Sequence, residues 1–165
     1  MTGRARIQSG AGHDEQESAQ RMHSITTGVE FVRRLDHAKR SQISIVRQEF
    51  GGWLDAVIGP DPMRAAVLSA TGEAVVNASE HAYLDRAGPI EIHATMQRGY
   101  RRLMVLVRDH GRWRIPTAAG SRGAGGHGLA LIDELSADSV VHTSATGTTT
   151  SMLWNLAPRV AEIHP

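Results

Sequence analysis

The sequence predicts an α+β fold, a two-layer sandwich in which a mixed, mostly antiparallel sheet carries helices on one face. Three observations lead there. Two amphipathic helical patterns run back to back in the first half of the chain, two pairs of strand-like segments are joined by short turn signals, and the order of elements is β, α, α, β, β, α, β, β. Strands grouped in hairpins, with helices between the groups, favour antiparallel pairing over a parallel crossover sheet.

Residues 1–24 are rich in Gly, Ser, Gln, Glu and Arg, with too little apolar surface to offset the entropy of ordering, and are expected to form a disordered tail. The domain is expected over 25–158, with 159–165 as a short C-terminal tail. From 25 to 35, Ile-Thr-Thr and then Val-Glu-Phe-Val suggest an edge strand. Asp36 is placed to cap a first helix, in which Ala38, Ile43, Val46, Phe50, Trp53 and Val57 recur at three- and four-residue steps up to Gly59-Pro60. Asp61-Pro62 repeats the start signal, and a second helix runs from 63 to about 84, with Leu68, Val75 and Ala82 on one face. Gly72 lies inside it at a cost of about 1 kcal/mol relative to Ala, which predicts close packing at that point. Beyond the turn at 86–88, Ile90, Ile92 and Ala94 alternate as the inward side of a strand. A more apolar strand, 103–109, completes the first hairpin. Residues 110–127 form a long glycine-rich loop, of the kind that often serves as a lid. A short helix from 128 to 135 precedes a last hairpin, 139–143 and 148–155, turning at Ala145-Thr-Gly147.

Composition removes several function classes. The formal net charge is +1, which gives no one-signed field for nucleic acid. There is no cysteine, so disulfides and cysteine zinc sites are excluded. No run approaches the length of a membrane span and no apolar leader follows Met1, so a cytoplasmic protein that binds neither membrane nor nucleic acid is expected. Lys39 is the only lysine and has no glycine beside it, which rules out a P-loop and the strand lysine of a conventional protein kinase.

What remains is a polar stripe. Glu73, Asn77 and Glu80 fall on one face of the second helix because residues three and four apart stack. A carboxylate there can deprotonate an attacking hydroxyl, and an amide oxygen can ligate a hard cation. Downstream, Asp109-His-Gly111 ends a strand where an acceptor could meet the exocyclic amine of adenine and the glycine admits the base. Gly123-Ala-Gly125-Gly126-His127-Gly128 leads into a helix, a natural phosphate cradle. Arg122 could reach a terminal phosphate, and Thr148, Thr149 and Thr150 place hydroxyls on the last strand. Each feature alone has an ordinary reading: a solvated helix face, an Asp-x-Gly turn, a surface loop, a good strand residue. The glycine run also spells the dinucleotide fingerprint, but no buried strand precedes it and no parallel βαβ unit surrounds it. His81, His110 and His127 lack metal-ligand spacing.

In this order, Glu73-x-x-x-Asn77-Ala-x-Glu-His81-Ala-Tyr83, Asp109-x-Gly111, Gly126-His127-Gly128-Leu129 and Gly147-Thr-Thr resemble the N, G1, G2 and G3 boxes of GHKL ATPases. The His-Ala-Tyr ending resembles the bacterial anti-sigma-factor serine kinases, and the likeness spans about 30–156. The resemblance implies the Bergerat ATP-binding sandwich with a lid between Asp109 and Gly126, and ATP and Mg2+ as cofactors. Glu73 would be the general base, Asn77 the magnesium ligand and Asp109 the adenine anchor. The remaining nucleotide contacts would come from His81, Gly111, Arg122, Gly125, Gly126, His127, Gly128, Leu129 and Thr149. It further implies phosphorylation of a serine on an anti-anti-sigma (STAS-domain) protein, alternative sequestration of a sigma factor, and a homodimer formed through the sheet. Two positions depart from the usual boxes: Trp113 stands where a second glycine is usual, and His127 where Arg or Met is frequent. The alternatives are a GHKL module that binds nucleotide or sigma factor without catalysis, and a histidine kinase with His37 as phosphoacceptor. The segment before the first helix is too short and polar for the dimer stalk the latter needs.

Overall fold

A computed structural model describes residues 6–9, 28–37, 39–83, 88–97, 100–112 and 126–157. Six strands form one sheet: β1 (Arg6–Ser9), β2 (Gly28–Leu35), β3 (Ile90–Gln97), β4 (Arg102–Asp109), β5 (Asp138–Ser144) and β6 (Gly147–Asn155), in the spatial order β1-β5-β6-β4-β3-β2. The β3–β4 and β5–β6 hairpins are antiparallel and β2 is an edge strand, as the sequence leads one to expect. Among the described strands, only β1 runs parallel to its neighbour, alongside β5. Those four residues lie in the stretch expected to be disordered; the order there comes from backbone bonds to an otherwise open strand edge, which composition does not register.

Alternation sets the two faces. Val29, Met96, Leu103 and Trp154 stand in register, as do Phe31, Ala94, Val105, Met152 and Ser139, and these rows are covered by the helices. The next row, Val32, His93, Leu106, Ser151 and Val140, lies on the opposite face, which none of the described helices covers. Asp109 belongs to the covered face, at the end of β4, and is 1% exposed.

The first helix, α1 (Arg40–Ile58), buries Val46, Phe50, Leu54 and Val57, a repeat of three and four residues that makes one apolar stripe. Phe50 and Trp53 pack on Phe31 of β2 with centroids 5.2 and 5.8 Å away. Asp36 does not cap this helix. The N-cap is Lys39, without a side-chain bond, while Asp36 accepts a hydrogen bond from Arg34 Nε at 3.0 Å. The helix begins four residues beyond Asp36, out of reach of its carboxylate.

The second helix, α2 (Met63–His81), starts where expected: Asp61 Oδ1 accepts the Met63 N–H at 2.9 Å. It stops three residues short of the expected end. Ala70, Ala74 and Ala78, all at most 2% exposed, form a stripe of small side chains by which the helix lies close against β3, β4 and β6. Gly72 is not close-packed, contrary to expectation: a Cβ there would meet nothing within 4 Å. Gly72→Ala should therefore raise stability by about 1 kcal/mol, the intrinsic helix-propensity difference, as read by denaturant unfolding. A loss of that size instead would mean the space is filled.

The third helix, α3 (Gly126–Leu135), is held at its C-terminal end. Ile132 is buried, and Trp154 Nε1 on β6 donates to Leu135 O at 2.7 Å. That anchor leaves the glycine-bearing first turn to approach α2. No described helix is long and apolar enough to cross a membrane.

Candidate functional site

α2 presents Glu73, Asn77 and Glu80 on one stripe, as the spacing requires. Glu80 is exposed, Glu73 half-buried and Asn77 only 6% exposed, so the stripe descends from solvent into the protein. The first turn of α3 closes over its buried end. Gly128 lies so near that a Cβ would come within 2.8 Å of Asn77 Nδ2 and closer still to Glu73 Oε1. Only a residue without a side chain permits this approach. The buried Asn77 Nδ2 has no hydrogen-bond partner among the described residues. A buried amide one bond short costs stability, and such groups mark sites with a bond to give. Its oxygen and nitrogen differ only by a half-turn of the side chain, so this position can offer an oxygen to a cation.

The second cluster surrounds Asp109. Its Oδ1 accepts backbone N–H groups from Gly111 at 3.0 Å and Thr148 at 3.2 Å, which fixes the carboxylate plane. Glycines close the surroundings. A Cβ on Gly111 would overlap the Ala82 carbonyl oxygen, and one on Gly147 (φ 143°) would overlap the Asp109 carbonyl oxygen. A carboxylate has about four lone-pair sites, so several donors, an amine among them, can share one such group.

Of the other expected site residues, His81 ends α2 and is half-buried, while Gly126, His127, Gly128 and Leu129 form the first turn of α3. Leu129 packs on the core and His127 is exposed. Amides at a helix N-terminus favour anions. Thr149 is not brought to Asp109: strand alternation turns it to the uncovered face, opposite Arg108 and His142, and the residue bonded to Asp109 is Thr148, which is 2% exposed. Arg122, Gly123, Gly125 and Trp113 lie outside the described residues, as does most of the expected lid. Ala82, Tyr83 and Gly147 have no role in the sequence beyond their places in motifs, because what Ala82 and Gly147 contribute is backbone contact. Among the described residues no group of three or more His, Asp and Glu is placed to hold a metal ion.

Residues 37–154 match the histidine kinase-like ATPase domain. The chain belongs to that family. Membership makes ATP its implied ligand, and the buried amide and glycine cradle fit that ligand on their own geometry. The fold also resembles a structure of the RsbU and RsbW domains of a Mycobacterium tuberculosis protein, with 26% identity and a TM-score of 0.59. The match covers 78% of this chain and 33% of that one, so this ATPase domain spans about a third of the longer protein. The SiaB–SiaC complex from Pseudomonas aeruginosa has the same fold at 12% identity and a TM-score of 0.56, over 84% of this chain and 96% of that one. Compared with the curated proteins, the sequence matches none.

Proposed function

We propose that this ATPase domain is a serine kinase of a partner-switching system, which phosphorylates an anti-anti-sigma (STAS-domain) protein and alternatively sequesters a sigma factor in the cytoplasm. The observation that carries the reading is the meeting of Glu73, Asn77 and Gly128 at one point, with Asp109 set in the same face of the sheet. Likeness to a structure that includes an RsbW domain, together with the His81-Ala82-Tyr83 ending, supports the choice of partner.

Bound Mg-ATP supplies a phosphoryl group ready for transfer and a cation that offsets charge on its oxygens. The chain does the rest. Asn77 would hold the cation through its amide oxygen, and the backbone N–H groups of Gly126, His127 and Gly128 would bind phosphate oxygens. Asp109 accepts the adenine amine. Glu73 takes the proton of the partner's serine hydroxyl as its oxygen bonds to the γ-phosphorus, and the bond to the bridging oxygen breaks to release ADP.

With labelled ATP and a STAS partner, Glu73→Ala should lower transfer by about 10²- to 10⁴-fold, the usual contribution of a positioned base. Equal label in both would remove the kinase assignment. Wild type that binds ATP but labels nothing would leave the non-catalytic module instead.

The uncovered sheet face is read as the surface through which two copies pair. Val32 is 53% exposed there, and Met104, Leu106 and Leu153 are half-buried. Light scattering should give twice the chain mass; a monomer mass at micromolar concentration would discard this surface.

A further inference from the structure

The residues just after α2 reach across to the turn that carries Asp109. Tyr83 donates its hydroxyl hydrogen to Pro89 O at 2.6 Å and accepts the His110 N–H at 2.9 Å. One residue earlier, Ala82 O accepts the Arg112 N–H at 3.1 Å. Between these, Asp109 Oδ1 accepts the Gly111 N–H. The backbone N–H groups of residues 110, 111 and 112 therefore each have a fixed acceptor, and two of the three acceptors belong to the two residues that follow α2. The Tyr83 ring is itself held in place: Gly88 packs on its edge so closely that a Cβ would overlap the ring. Burial raises the phenol pKa above its ordinary value, which keeps the hydroxyl protonated and able to donate and accept together.

We infer that Tyr83 is a positioning residue for base recognition, tying the Asp109 turn to the helix that carries Glu73 and Asn77. One rigid unit then grips the base at one end and the phosphates at the other. A carboxylate held in a single orientation accepts an amine and rejects a carbonyl at the same place, so the tie sets preference for adenine over guanine. This rests on the proposed nucleotide site, and it predicts a loss of selectivity that a merely structural tyrosine would not produce.

The test compares wild type, Tyr83→Phe and Gly88→Ala by amide hydrogen exchange without nucleotide, by titration with Mg-ATP and Mg-GTP, and by thermal unfolding. Tyr83→Phe removes one hydrogen bond to the turn, and His110 amide exchange should quicken by about tenfold. ATP affinity should fall by about tenfold while the weaker GTP affinity changes less than about twofold, so that the preference narrows. Gly88→Ala keeps the hydroxyl but displaces the ring, and should give the same pattern. If wild type prefers ATP and both variants keep that preference, or lose ATP and GTP affinity in equal proportion, the inference is overturned and the nucleotide site stands. If wild type does not prefer ATP, the nucleotide site itself fails and takes the inference with it.

Discussion

Gly128→Ala is expected to weaken Mg-ATP binding by about 10²-fold in a protein that still folds. The added methyl group would meet Glu73 Oε1 and the Asn77 amide, which are the ends of polar side chains and can swing aside. The cost in stability is therefore modest, about 1–2 kcal/mol for overpacking. Alanine recovers about 1 kcal/mol of that through helix propensity, because position 128 lies within α3. Function has no such offset. Relief of the clash moves the two groups on which phosphate and cation depend, and displacement by about 1 Å can cost about 10²-fold. Thermal unfolding beside calorimetry separates the two effects. Wild-type affinity in the variant would mean that ligand does not lie between α2 and α3.

Asn77→Ala is the second large effect, with stability and function again parting. The amide is buried and its Nδ2 lacks a partner among the described residues, so truncation removes an unsatisfied group while leaving a small void. These oppose each other, and net stability should change by no more than about 1 kcal/mol. The magnesium-dependent part of ATP affinity should vanish. Chelating the cation should weaken wild type by about 10²-fold or more, the scale of losing one charge-stabilising ligand, and leave Asn77→Ala unaffected. A variant that still responds to magnesium would place the cation elsewhere. Retention of a costly buried amide is the expected trade of stability for activity.

Much of the fold and half of the site are legible in the order of residues alone. Periodicity places both long helices and both hairpins, and the four-residue step from Glu73 to Asn77 sets their common face whatever packs on it. Phase and distance are what a sequence does not carry. A run of Thr148-Thr149-Thr150 is symmetric to composition, and only the register with β4 decides that Thr148, not Thr149, turns toward Asp109. Gly72 suggests a packing glycine because propensity reports a cost without reporting the empty space beside it. Asp36 suggests a cap because capping chemistry says nothing of where the first helical residue falls. The parallel strand β1 pairs with residues more than a hundred positions away, beyond any local pattern. Tyr83 belongs to the motif that carries the family resemblance, yet its use depends on carbonyl and amide groups of Pro89 and His110 that no side-chain code announces.

The site joins four separated stretches of chain, and at its centre Asn77 and the first turn of α3 are proposed to bind one metal–triphosphate together. Isothermal titration of the wild-type protein with ATP, with and without magnesium, tests this most directly. A single site per chain, far tighter with magnesium and dependent on Asn77, is the predicted result; no heat of binding, or an affinity indifferent to both magnesium and Asn77, would contradict it.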